Sequence, residues 1–225
     1  CNVPDYGMNE VADHAIALMM AMTRKIVLMN NYTKQEKWDY TYSIPIHRAC
    51  NQTVGVIGLG RIGRNFATKA HALGYNIIGY DPYFKESDDT KFITIKSLDG
   101  LISSADIISL HIPAEGNQNL FNKETFKKMK NNAIIINVAR GGIINEDDLY
   151  DALNSKEIAG AAIDCVCKEP MLPKHKLFTL DNYIATPHMA WYSEEASQEL
   201  KRKVAEECVN FLKHSFVRYP INHLK

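Results

Sequence analysis

The sequence has no long hydrophobic run. Its longest wholly apolar stretch is Ala15 to Met22, between His14 and Thr23-Arg24-Lys25, well short of the roughly 20 apolar residues that a membrane helix needs. No signal-peptide pattern opens the chain. An excess of one charge is also missing, since Lys+Arg and Asp+Glu both number 26. Nucleic-acid binders carry a basic excess, as do proteins of acidic membrane surfaces, so neither partner is expected. Cysteine is sparse: Cys1, Cys50, Cys165, Cys167 and Cys208 are odd in number and scattered. That pattern argues against a disulfide framework and for a reducing compartment, the cytoplasm. Cys165 and Cys167 have no second Cys or His pair at zinc-ligand spacing, so no metal site is expected. Internal repeats and low-complexity tracts are absent as well.

What is present is ordinary globular composition: 225 residues, 46% hydrophobic and 23% charged, enough for one or two domains. Asn9 to about Asn30 has helical apolar spacing and is apolar nearly all round, which predicts burial on more than one side. Its methionines suit either core packing or a subunit interface. Residues 31–50 are polar and aromatic and read as an arm. From there short apolar runs alternate with helical patterns. Strands are expected over 52–57, 75–80, 105–111, 133–138, 161–165 and 183–186, with helices over 64–73, 122–130 and 145–155. Continuous apolar strands are buried on both faces, as in a parallel sheet. The alternation predicts a doubly wound α/β fold. A last helix is expected from Ser193 to about His214, with apolar positions spaced for one buried face and Glu194 and Glu195 at the favourable end of its dipole.

Gly58-Leu59-Gly60-Arg61-Ile62-Gly63 is a GxGxxG motif. It follows a predicted strand, opens a predicted helix and leads to a second strand ending in Asp81, the context of a dinucleotide site. Gly58 permits the tight turn, Gly60 lets a pyrophosphate approach the backbone, and Gly63 allows helix to pack on strand. Free N–H groups at the helix start bind phosphate. A carboxylate at Asp81 accepts from ribose hydroxyls and repels a 2′-phosphate, so the pattern favours NAD over NADP.

Three later segments follow strands: Arg140 with Gly141 and Gly142, Asp164 to Pro170, and Thr186-Pro187-His188. Ligands of open α/β sheets bind outside the carboxyl ends of the strands, so all three project toward the nucleotide.

With these segments the chain resembles the D-isomer-specific 2-hydroxyacid dehydrogenase family, and within it the group that includes C-terminal-binding proteins. The resemblance rests on GLGRIG (58–63), YDPY (80–83), SLHIP (109–113), NVARGGIINEDDL (137–149), IAGAAIDCVCKEP (158–170) and TPHMAWYSEEAS (186–197), and on the opening VPDYGMNEVADHAIALMMAMTRK (3–25). It implies that Arg140 binds the substrate carboxylate through its planar fork. His188 would be the acid–base residue, and Glu169 would orient it. Cofactor contacts would come from Gly58, Gly60, Arg61, Ile62, Gly63, Asp81, Pro82, His111, Pro113, Val138, Ala139 and Asp164.

Some of these positions have a plainer reading. His111 is equally a satisfied core histidine, and Asp164 a strand-end residue. Trp191 would border a substrate pocket suited to an apolar tail, or else be a packing residue. The remaining histidines, His14, His47, His71, His175, His214 and His223, belong to no constellation.

The implied activity is NAD-dependent interconversion of a 2-oxo acid and a D-2-hydroxy acid. The implied alternative is an NAD(H)-sensing dimeric binding module. Residues 1–191 would form the NAD-binding domain, with about 9–50 as a homodimer contact, and residues 192–225 the C-terminal helix and tail of a substrate domain. Cys1 at the start and an opening in mid-pattern lead us to expect a fragment that lacks an upstream piece on the order of 100 residues.

Overall fold

The computed structural model describes residues 1–221; His223, with the rest of 222–225, lies outside the described residues. Helices α1 (Met8–Thr23) and α2 (Ile26–Lys34) precede an arm that carries two short 3-10 turns. An alternating unit follows: β1 (Thr53–Ile57), α3 (Arg61–Ala72), β2 (Asn76–Tyr80), β3 (Ile93–Ile95), α4 (Leu98–Ser104), β4 (Ile107–Leu110), α5 (Lys123–Phe126), β5 (Ile134–Asn137), α6 (Glu146–Asn154), β6 (Gly160–Ile163) and β7 (Tyr183–Ala185). Helix α7 (Glu194–His214) comes last.

The seven strands form one sheet in the order β3-β2-β1-β4-β5-β6-β7, every neighbouring pair parallel. The order reverses between β1 and β4, which opens a crevice at their carboxyl ends. Side chains alternate across the sheet. Ile107, Ile134 and Ile136 face Phe66 of α3 and Ala12, Ala15 and Met19 of α1. Ile108 and Ile135 face Leu101 of α4, Phe126 of α5 and Leu149 of α6 on the other side. Both faces are covered, as continuous apolar strands require. Asn122, Asn145 and Ser193 start their helices by accepting backbone N–H bonds with their side chains, which satisfies donors that the first turn leaves open.

The single helix expected over 9–30 is two. Thr23 turns its hydroxyl back onto Met19 O at 2.8 Å, and Lys25 N bonds Met22 O rather than the carbonyl four residues back. Lys25 then adopts a left-handed conformation, φ 54°, which redirects the chain. Burial is one-sided in α1, and α2 has no buried residue. Helix α5 is one turn, shorter than expected, and β3 and α4 were not anticipated from the sequence pattern. Helix α7 buries only Ala196 and Glu207, while Val204, Val209, Phe211 and Leu212 stay exposed. Its apolar spacing is real, but nothing covers that face among the described residues.

Candidate active site

The glycine turn joins β1 to α3. Gly58 has φ 92° and donates its N–H to Tyr80 O at 2.9 Å, a geometry that L side chains avoid. A side chain at Gly63 would collide with the Gly58 carbonyl, so α3 lies directly on the turn. A Cβ at Gly60 would meet nothing within 4 Å. That space, beside the free N–H groups of α3, is where a pyrophosphate fits. Asp81 is locked in place: Oδ2 accepts from Leu59 N and Oδ1 from Tyr83 N, both at 2.8 Å. Its remaining lone pairs are free for ribose hydroxyls. Arg61 and Pro82 flank the turn at the surface.

The crevice wall beyond the turn is formed by Ile62, His111, Pro113, Val138, Ala139 and Arg140. His111 is partly buried, bonds Ser109 Oγ through Nε2 at 2.9 Å and tilts against Phe66 with ring centres 5.1 Å apart. Burial pushes its pKa down to about 3, so it lines the crevice as a neutral ring. It is thus hydrogen-bonded within the fold and also part of the crevice lining. Asn137, buried at the end of β5, accepts from Ala139 N and donates to Arg140 O, which fixes the backbone of the arginine. Arg140 itself is exposed, with Nη1 donating to Ala139 O at 2.7 Å.

His188 Nδ1 lies 2.6 Å from Glu169 Oε2. The other oxygen of Glu169 accepts from Val166 N at 3.1 Å, so the carboxylate is aimed by its own loop. Val166, Pro170, Met171 and Phe178 line a cavity of about 500 Å³ beside the pair. His188 sits at φ 52°, a conformation that costs on the order of 1 kcal/mol or more unless its surroundings enforce it. Asp164 supplies that enforcement. Its main-chain oxygen accepts from His188 N, and its buried carboxylate accepts from Met189 N and Ala190 N at 3.0 Å and from Thr186 Oγ1 at 2.5 Å. His14 of α1 bonds Thr186 Oγ1 at 2.9 Å and stands 3.6 Å from Asp164 Oδ1.

Asp164 spends most of its acceptor capacity on the His188 loop, which is the strand-end role; about one acceptor site of its carboxylate is left over. His14, left unassigned by its sequence position, joins that anchor. The signal was invisible because the partners lie 172 residues apart. Trp191 is placed edge-on between Tyr6 and Tyr192, with centroids 6.0 and 5.6 Å away, and its backbone lies against Gly7. It is among the lining of neither cavity described above. Cys165, also passed over, is buried behind the pair. Burial and the carboxylates of Asp164 and Glu169 push its thiol up to about 12.

A parallel doubly wound sheet, with a glycine turn and Asp81 at its switch point and a Glu-paired His farther along the same edge, has the layout of a dinucleotide-binding domain. Comparison with known proteins carries this one step further. The chain belongs to the D-isomer specific 2-hydroxyacid dehydrogenase family, whose NAD binding domain model matches residues 16–190. It is 38% identical over 223 residues to a D-3-phosphoglycerate dehydrogenase of Archaeoglobus fulgidus, covering 98% of this chain and 42% of that protein. It is 33% identical over 219 residues to a glycerate dehydrogenase of Methylorubrum extorquens, covering 94% and 68%.

Among solved structures, the D-lactate dehydrogenase with NAD+ of Lactobacillus jensenii superposes with a TM-score of 0.89 at 27% identity, covering 99% of this chain and 71% of that one. The chain thus spans less than half the length of the first of these relatives. Their names support the family; they do not support the narrower C-terminal-binding-protein group. No helix of the described residues is long and apolar enough to cross a membrane.

Proposed function

We propose that this chain provides the NAD site and the reacting residues of a dehydrogenase that interconverts a 2-oxo acid and a D-2-hydroxy acid. The observation that carries the reading is the 2.6 Å contact of His188 with Glu169, on the same sheet edge as the glycine turn. NAD, when bound, supplies or accepts the hydride. Arg140 exchanges its bond to Ala139 O for a bidentate grip on the substrate carboxylate, a stronger charge-assisted pair. Glu169 accepts from Nδ1 and so presents Nε2 to the substrate oxygen. His188 gives that oxygen a proton in reduction and takes one in oxidation. Gly58, Gly60, Arg61, Ile62, Gly63, Asp81 and Pro82 hold the adenosine and pyrophosphate end, while His111, Pro113, Val138 and Ala139 line the path to the reacting end. Trp191 keeps the His188 loop seated on Tyr6, and only its open side is available to substrate.

Residues 1–191 act as the NAD-binding unit and 192–225 as a helix and tail of the substrate side. Helix α2 and the arm expose Ile26, Trp38, Tyr40 and Ile44, an apolar group that suits a second copy of the chain. The free cysteines suit a reducing compartment and support cytoplasmic placement.

The test is NADH oxidation by the full gene product across small and bulky 2-oxo acids. Turnover that falls by at least about 100-fold in His188→Ala, with NADH affinity kept, is expected from the usual worth of general acid–base catalysis. Unchanged turnover in that variant rejects the assignment. The NAD(H)-sensing module of the C-terminal-binding-protein type is the lesser reading, and NADH-dependent dimerisation without any turnover would favour it.

A further inference from the structure

We propose that Cys165, Glu169 and His188 form a binding site for a zinc-like divalent cation. A thiol sulfur, a carboxylate oxygen and an imidazole nitrogen all lie within 4.8 Å of one another. Soft sulfur with imidazole and carboxylate is a donor set that zinc accepts, with three protein ligands and a water as the open type of site. Tetrahedral ligands about a zinc ion stand roughly 3.5 Å apart, so Glu169 Oε2 and His188 Nδ1, now 2.6 Å from each other, must open by about 1 Å, while the sulfur, within 4.8 Å of both, is approached. Glu169 and His188 can move, because solvent reaches 37% and 42% of their side chains. Cys165 is buried and fixed, and so serves as the anchor.

Several features beyond proximity favour a cation here. Glu169 is already oriented through the Val166 N–H bond to Oε1, and Oε2 is held against His188 Nδ1, so the ion would take the place of the proton between these two donors. The charges that act on the sulfur are the carboxylates of Asp164 and Glu169 against the guanidinium of Arg140, a net negative setting that a dication reverses. The exposed side of the pair gives an entry path and room for the water. Cys167 takes no part, since the donors that lie together are those of Cys165, Glu169 and His188. That is why the Cys165–Cys167 spacing carried no signal: the third ligand comes from the next loop.

Binding is balanced in protons. The Cys165 thiol loses its proton to solvent as the metal–sulfur bond forms, one proton per ion. The Nδ1–H of His188 shifts to the Nε2 tautomer, and Nδ1 gives its lone pair to the ion. With Nδ1 metallated, donation from Nε2 would leave an imidazolate, so an occupied site cannot act as the acid–base pair. This last consequence rests on the function proposed above; metal binding itself does not.

The experiment is a Co2+ titration of the full chain without cofactor or substrate, in a background where Cys1, Cys50, Cys167 and Cys208 are Ser. A thiolate-to-cobalt charge-transfer band saturating at one equivalent, and displaced by Zn2+, is expected. It should vanish in Cys165→Ser, or in Cys165→Ala if the serine variant does not fold. His188→Gln should weaken affinity at least tenfold. No band at millimolar Co2+, or a band that survives loss of the Cys165 thiol, overturns the site. In protein that turns over, one equivalent of Zn2+ should lower the rate at least tenfold and EDTA restore it; full activity when loaded overturns the silencing.

Discussion

Replacing Asp164 by Asn separates the anchoring role of this residue from a role toward the cofactor. The side chain changes little in size, but one acceptor oxygen becomes an N–H2 group. If the remaining oxygen stays on Thr186 Oγ1 and Met189 N, the amide faces the N–H of Ala190, which is 4% exposed and has its acceptor on this carboxylate. A buried donor left without a partner costs about 1–3 kcal/mol. The two bonds that survive lose their charge assistance, about 1 kcal/mol each. Relief from burying a carboxylate offsets part of the total, leaving a net loss of about 3 kcal/mol. In a chain of this size 1 kcal/mol moves Tm by about 2–4 °C, so the variant should melt about 6–12 °C lower. The assay is a circular-dichroism melt without cofactor, run beside NADH titration. A Tm lowered by less than about 2 °C, below 1 kcal/mol, with a collapse of NADH affinity, would refute the anchor and give Asp164 a cofactor role instead.

Further outcomes follow from the same geometry. Gly60→Ala should leave apo stability within about 0.5 kcal/mol, since its Cβ meets nothing and φ is −67°, yet weaken NADH binding by calorimetry. Gly63→Ala should lose both, because its Cβ strikes the Gly58 carbonyl and overpacking costs about 1–3 kcal/mol or more. Asp81→Ala should narrow the preference for NADH over NADPH, read as a ratio of dissociation constants; an unchanged ratio counts against the ribose role. His111 is held neutral with its pKa near 3, below the ordinary 6.5, so the unfolded chain binds the extra proton first. Its contribution to stability is present above pH 6.5 and drains away as pH falls toward 3. Between pH 7 and 5 the wild type should lose up to about 2 kcal/mol more than His111→Gln in urea melts. Equal losses would mean that the ring is not held neutral.

The sheet was legible because its strands are continuous apolar runs, and Ala133 to Val138 needs no context to be read. Strand β3 was not, because two of its three residues, Thr94 and Ile95, are exposed and no apolar run marks it. The break after Thr23 depends on a back-turned hydroxyl and one left-handed lysine, neither of which shows in a periodicity. At the site, the glycine turn and Asp81 were readable from spacing, since each position has a backbone reason. Arg140, Glu169 and His188 were readable through resemblance. The anchor around Asp164 was not, because backbone N–H donors leave no letter in a sequence and His14 reaches it from the far end of the chain. The position of Cys165 behind His188 was hidden for the same reason.

The strand order also sets a length. The glycine turn follows β1 and the His188 loop follows β7, with β4, β5 and β6 between them. Neighbouring strands are spaced by about 4.8 Å, so the two ends of the site are held roughly 19 Å apart across the sheet. The sheet works as a ruler whose divisions are hydrogen-bonded strands. A ligand seated on the glycine turn covers only part of that span, and the loops after β4, β5, β6 and β7 reach back over the sheet to meet it. A mononucleotide can satisfy the glycine turn alone, and a change of one strand in the count would move the His188 loop by a whole division relative to that turn.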